Sequence, residues 1–339
     1  GGYTGPENYT EKLMQLAVLL DRQLRKEGCR DAIRICPIDG ETVWSMDDTD
    51  TDRIGKMLDI ADEAFDVVGN HFYRAAMNFE PDPNAETGSQ GSIDAIVIHD
   101  RLVPQIKMLE VRGNKKRDEL YLLSEYGSFT YLLKPPENPL DRLRWHQDSI
   151  RERLANAEAF VQAFNHGADG AACWSWNANN HFVWRILTFE EPFYDEEKFT
   201  KEGFDLGKYR HHVPEPASYY PIALTAKYLP RGSKVVANSV TGSEDSNGIA
   251  RVYSLAAIDP EGHLSILMVN DGDGTTLSVD PGEPFRADMF TRWSVSEESF
   301  DRISKGERRR LPGWLIPLPR ESITVLTTSR HGAERPRGH

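Results

Sequence analysis

The segment that most constrains this chain is Leu120-Tyr121-Leu122-Leu123-Ser124-Glu125-Tyr126-Gly127, an apolar run that breaks into a carboxylate, an aromatic and a glycine. Consecutive large apolar residues suit a strand covered on both faces, the condition of a parallel sheet packed under helices. Glu125 closes the run, and parallel α/β folds build their chemistry at the carboxyl ends of such strands. The competing reading is a solvated Glu at the start of a loop.

The surrounding chain alternates helix and strand. Leu13, Leu16, Ala17, Leu20 and Leu24 recur at helical spacing from Tyr9 to Glu27, and Ala32 to Ile38 reads as a strand ending at Asp39. A helix over Ile54–Phe65 leads to a strand over Phe65–Tyr73, and a helix over Ile93–Val111 leads to the strand ending at Glu125. A long helix over Arg142–Phe164 is followed by a strand over Gly170–Trp176, and a last helix runs over Tyr219–Tyr228. Four strands alternating with helices imply parallel βα units. Past Gly232 the texture changes to short β runs, Arg251–Ile258, Leu264–Asn270, Thr276–Val279 and Ser322–Thr327, with hairpin-type turns at Asp259-Pro260-Glu261-Gly262 and Asp271-Gly272-Asp273-Gly274. That pattern reads as an antiparallel sandwich.

At 339 residues two domains are expected. Forty basic and 53 acidic side chains leave a net charge of −13, which repels phosphate backbones and speaks against nucleic acid as a partner. No apolar run reaches the roughly 20 residues that span a bilayer, so no membrane partner is expected. The basic triplet Arg308-Arg309-Arg310 reads as a solvated turn, and Cys29, Cys36 and Cys173 are too few for a disulfide framework. The chain opens on Gly1 in the loop Gly1-Gly2-Tyr3-Thr4-Gly5-Pro6 and reads as a piece of something longer, which leaves leader and compartment open.

With the strands in place, Asn70-His71-Phe72-Tyr73, Ser124-Glu125-Tyr126-Gly127 and Trp174-Ser175-Trp176 resemble the ends of the sixth, seventh and eighth strands of the retaining glycoside hydrolases of the (β/α)8-barrel clan. Tyr219 through Ser233 resembles the last barrel helix entering an attached β-sandwich. The resemblance implies an α/β fold: the second half of a (β/α)8 TIM barrel, strands 5 to 8, over residues 1–232, then an all-β sandwich over 233–329, then a disordered tail over 330–339. It implies an O-glycosyl hydrolase with Glu125 as nucleophile. The clan takes its acid/base from an Asn-Glu-Pro motif on the fourth strand, which would precede Gly1; Glu7 stands in Pro-Glu-Asn and does not match. The chain alone is therefore expected to be inactive.

The roles follow from the chemistry. Retaining hydrolysis needs two carboxyl groups about 5 Å apart, one attacking the anomeric carbon and one protonating the leaving oxygen. Tyr73 would donate its phenolic proton to Glu125 and aim it; a rim aromatic satisfied by water is the alternative. His71 shares its strand face and would bond a sugar hydroxyl, or else simply pack. Trp174 and Trp176, two apart, offer either a stacking platform for a sugar ring or core packing. Asn179, with Asn177, Asn180 and His181, would supply hydrogen bonds to hydroxyls, and Asp39 is a weaker candidate because Asp-Gly is equally a turn. The expected partner is an oligosaccharide or polysaccharide, with no cofactor. A non-catalytic carbohydrate-binding barrel is the alternative, and a metal-dependent hydrolase fits poorly because no His cluster has ligand spacing.

Overall fold

The computed structural model describes residues 9–37, 39–41, 55, 57–61, 64–73, 120–127, 151–173, 216–244, 250–299 and 302–329. They fall into two compact units. Three helices of eight or more residues are described: α1 (Tyr9–Lys26), α2 (Arg151–Asn165) and α3 (Pro216–Tyr228). The expected helix over 93–111, and residues 142–150 of the long one, lie outside the described residues.

In the first unit, β1 (Asp39–Glu41), β2 (Val67–Tyr73), β3 (Leu120–Gly127) and β4 (Gly170–Cys173) form one four-stranded sheet in that order, each pairing parallel to the next. Parallel order is what the buried runs of β2 and β3 demand, since Val67, Val68, Tyr121 and Leu123 are all enclosed. The strand expected over Ala32–Ile38 is displaced. Arg30–Ala32 form a 3-10 turn, residues 33–37 carry no regular structure, and the strand occupies Asp39–Glu41. Pro37 has no N–H to give a ladder, whereas Asp39 and Gly40, expected at a strand end or in a turn, pair with Gly69 and Asn70.

Helix α1 is also rotated from its expected stripe. Among its described side chains Met14, Ala17 and Asp21 are enclosed, while Leu16 and Leu20 are 60% and 44% exposed. The inward pull is ionic: Asp21 accepts from Arg25 Nε at 2.8 Å and from Arg30 Nε, and Arg30 Nη2 reaches Asp66 Oδ2 at 2.8 Å. Burial alone would push the Asp21 carboxyl up, but Arg25 and Arg30 outweigh it and hold it below the usual range.

In the second unit, β10 (Ser304–Arg310), β9 (Met289–Ser296), β12 (Ser322–Thr327), β7 (Leu264–Asn270), β6 (Val252–Ile258) and β5 (Lys234–Val236) make a six-stranded antiparallel sheet in that order. A two-stranded sheet of β8 (Thr275–Ser278) and β11 (Leu315–Leu318) accompanies it. One face of the large sheet, through Val252, Ile266, Met268, Phe290 and Leu326, packs with Trp314, Ile316 and Leu318 into the core. The residues that alternate with these, among them Leu255, Leu267, Val269, Val295, Ile323 and Val325, are enclosed as well. Helix α3 packs against β9 and β12, and its Tyr228 ring stacks on Trp293 at 6.1 Å. Tyr253, on β6, donates to the Ala250 carbonyl at 2.9 Å, and burial first, then the buried Glu158 carboxyl, raises its hydroxyl well above the ordinary range.

The Asp259–Gly262 turn closes the β6–β7 hairpin as expected, with Ile258 opposite Leu264 and Gly262 at φ +87°. The Asp271–Gly274 stretch does not make a hairpin: β8 pairs with β11, so the chain there crosses from one sheet to the other. Asn270, 1% exposed, clamps that crossing by donating to Asp273 O at 2.9 Å and Pro319 O at 2.7 Å while accepting from Gly272 N at 3.2 Å. The Arg308–Arg310 triplet lies in the edge strand β10 rather than in a turn, and charge on an edge strand discourages further pairing.

Candidate functional site

The row beneath the candidate site is shaped by size. Register places Leu122 between Gly69 of β2 and Gly170 of β4. A Cβ on residue 170 would stand 2.8 Å from Leu122 Cδ2, so glycine there makes room for the leucine of the neighbouring strand. Below that row two aspartates act alike. Asp66, ahead of β2, accepts the Ile35 N–H at 2.8 Å, and Asp169, ahead of β4, accepts the Tyr121 N–H at 2.8 Å. Backbone bonds complete the join, from Leu120 N to Asp66 O and from Asp169 N to Tyr121 O, each 2.8 Å. Each aspartate thus ties the entrance of its own strand to the segment beside it. Neither had a sequence signal beyond an Asp preceding an apolar run.

Above that row the ladder slips. Asn70 is opposite Leu123, but His71 is opposite Glu125; on the other side Leu123 is opposite Ala171 and Tyr126 opposite Cys173. Strand β3 therefore carries one residue more than both neighbours between Leu123 and Tyr126. A bulge of this kind re-aims the positions that follow it and is common at the rims of sheets that carry function. Glu125 does not end its strand, as the apolar pattern implied: β3 runs on to Gly127. His71 and Glu125 come side by side across the β2–β3 pair, and Tyr73 comes opposite Gly127. Trp174, Trp176 and Asn179 lie outside the described residues, as do Asn177, Asn180 and His181.

Among the described residues, one grouping of metal-ligand types stands elsewhere, in the β6–β7 turn. Asp259, Glu261 and His263 bring ligand atoms within 4.8 Å of one another. Their geometry is that of a braced turn: Asp259 Oδ1 accepts the amide N–H of Glu261 and of His263 at 2.9 and 2.8 Å, and Oδ2 lies 3.1 Å from His263 Nδ1. Burial by itself raises the Asp259 carboxyl, and the His263 hydrogen bonds overcome it and lower it. No helix among the described residues is long and apolar enough to cross a membrane.

No family model matches the chain, and no curated protein does. Solved structures do. The chain is similar to AbfB, a family 51 α-L-arabinofuranosidase from Bifidobacterium longum, at TM-score 0.60 and 13% identity over 96% of this chain and 63% of that one. It is similar to the thermostable family 51 α-L-arabinofuranosidase from Thermotoga petrophila at TM-score 0.57 and 12% identity, over 96% and 65%. Cel44A, a family 44 endoglucanase from Clostridium thermocellum, aligns at TM-score 0.53 and 12% identity, over 94% and 61%. The chain shares its fold with glycoside hydrolases. It spans under two thirds of the length of each of these three enzymes, and at such identities the likeness speaks for the fold.

Proposed function

We propose that this chain is part of a retaining O-glycosidase, its β1 to β4 forming strands 5 to 8 of a (β/α)8 barrel over residues 1–232, with a β-sandwich over 233–329. Glu125 is the nucleophile: its carboxylate attacks the anomeric carbon, the leaving oxygen departs with a proton from a second carboxyl group, and water then hydrolyses the glycosyl-enzyme. Tyr73 donates its phenolic proton to Glu125, keeping it ionised and aimed. His71, Trp174, Trp176 and Asn179 bind the sugar, the indoles by stacking and the others by hydrogen bonds to hydroxyls.

The observation that carries this reading is the extra residue in β3. It takes position 125 out of the two-residue phase of the enclosed Tyr121 and Leu123 and sets it beside position 71. A strand whose only task was to fill a core would gain nothing from such a slip. The fold shared with arabinofuranosidases and an endoglucanase supports the same chemistry and suggests the probe sugars.

The test separates Glu125 from the missing proton donor. Glycosides with fluorine beside the anomeric carbon and a dinitrophenolate leaving group need no acid assistance and trap the covalent intermediate. After treatment with the α-L-arabinofuranosyl and β-D-glucosyl forms, peptide mass mapping is expected to find the sugar on the peptide that carries Glu125, and no label in Glu125→Gln. Label on another carboxylate, or equal labelling of the variant, overturns the assignment.

A further inference from the structure

On the second unit, the face of the large sheet that bears the core ends at β9 and β10 in a cleft of about 480 Å³ lined by Arg292, Glu307, Arg309, Trp314, Leu315 and Pro317. Its floor is built around one guanidinium. Residue 306 is glycine, and a Cβ there would stand 2.7 Å from Arg292 Nε and 3.0 Å from Arg292 Cβ, so Gly306 is what lets Arg292 lie across β10. The pairing of β9 and β10 slips at this place, with Lys305 opposite Trp293 and Arg308 opposite Thr291, which leaves Gly306 and Glu307 to face Arg292 alone. Arg292 Nη1 donates to the Pro317 carbonyl at 3.2 Å and so sets the direction of the fork, while its enclosed Nε has no acceptor among the described residues.

The second guanidinium, Arg309, lies 2.7 Å from Glu307, and both side chains are more than half exposed, at 58% and 62%. Two cations against one carboxylate make the cleft electropositive on a chain of net charge −13. Leu315, 64% exposed, adds an apolar wall beside them. Planar forks beside an apolar wall suit a ligand with both a carboxylate and a ring of C–H bonds.

We propose that this cleft is a second saccharide site, remote in sequence from Glu125, for a sugar that bears a carboxylate, that is, a hexuronic acid unit of a polysaccharide. The choice of a sugar rests on the glycosidase reading above; the choice of an anion rests on the two guanidiniums. The experiment is calorimetric titration of the full chain with trigalacturonate, with a neutral trisaccharide and with inorganic phosphate. Trigalacturonate is expected to bind best, to weaken as salt is raised, and to lose about tenfold or more in affinity in Arg292→Lys, which keeps the charge but not the fork, and in Arg309→Gln, the latter with melting temperature unchanged. Glu125→Gln should bind as the wild type does. Arginine-dependent binding with no glycosyl label on Glu125 would leave this site standing and remove the glycosidase reading. Equal affinity for the neutral sugar, equal affinity for phosphate, or undiminished binding in both arginine variants overturns the proposal.

Discussion

Asn270 offers a sharp test of the second unit, because its amide is used from both ends. Replacing it with Ala abandons two carbonyls, of Asp273 and Pro319, and one N–H, of Gly272, in a place that is 1% exposed. At about 1 kcal/mol net for each bond the loss is roughly 3 kcal/mol, and at about 4 °C per kcal/mol for a unit of this size the melting temperature should fall by roughly 12 °C. Asn270→Asp has the same shape yet should be worse. It retains the acceptor for Gly272, but it turns a carboxylate oxygen toward two carbonyls beside the nearly buried Asp271. Such a carboxyl has its folded pKa raised above its unfolded value near 4. Its penalty is therefore full above the folded pKa, fades as pH falls through that value, and is gone below the unfolded one. Thermal melts at neutral pH and near pH 4 should show the Asp deficit narrowing on acidification while the Ala deficit does not. An Asp variant at least as stable as Ala at neutral pH, or an Ala variant that loses under about 1 kcal/mol, would refute the clamp.

With activated aryl glycosides, Glu125→Ala should lose orders of magnitude in kcat and regain turnover with added azide or formate; wild-type rates in the variant would remove Glu125 from the mechanism. Deleting Ser124 should shift Glu125 by about one strand residue, roughly 3.3 Å, and slow its labelling at least about 100-fold, an outcome read as a rate against the wild type. Single Trp174→Ala and Trp176→Ala variants should weaken sugar binding by roughly 1–3 kcal/mol at little cost in melting temperature if the indole is a platform; a stability loss of about 3–5 kcal/mol with unchanged affinity would mark it as core. The lowered Asp21 carboxyl contributes stability that is present above its unfolded pKa near 3.8 and is lost as pH falls through the folded value. Urea midpoints of the wild type and Asp21→Asn should accordingly differ at neutral pH and converge in acid.

The parallel sheet was legible because Leu120–Leu123 and Val67–Val68 are buried strands with no polar alternation, and that leaves few other arrangements. The hairpin at Asp259–Gly262 was legible for a different reason, since Gly262 supplies the positive φ the turn requires. What escaped depends on partners distant in the chain. Nothing local shows that Asp21 turns inward; Arg30, nine residues on, and Asp66 beyond it decide that. The exposed charges of Ser304–Arg310 hide an edge strand, because a strand with one wet edge has little apolar pattern to display. The slip in β3 was invisible for the same reason: an extra residue exists only relative to the strands on either side. Glu125 itself was visible as a carboxylate after an apolar run, but its pairing with His71 was not.

Strand β12 lies in the middle of the six-stranded sheet, hydrogen-bonded to β7 on one side and β9 on the other, yet it is the last strand of the described chain. A ribosome delivers residues 264–296 well before residues 322–327. During that interval the two strands that will flank β12 have no bridge between them, and their facing edges are open to any other extended segment. A stop codon or proteolytic cut shortly before Ser322 would therefore remove the sheet's centre rather than trim its margin, and the product should be cleared or aggregate, not survive as a slightly shortened protein.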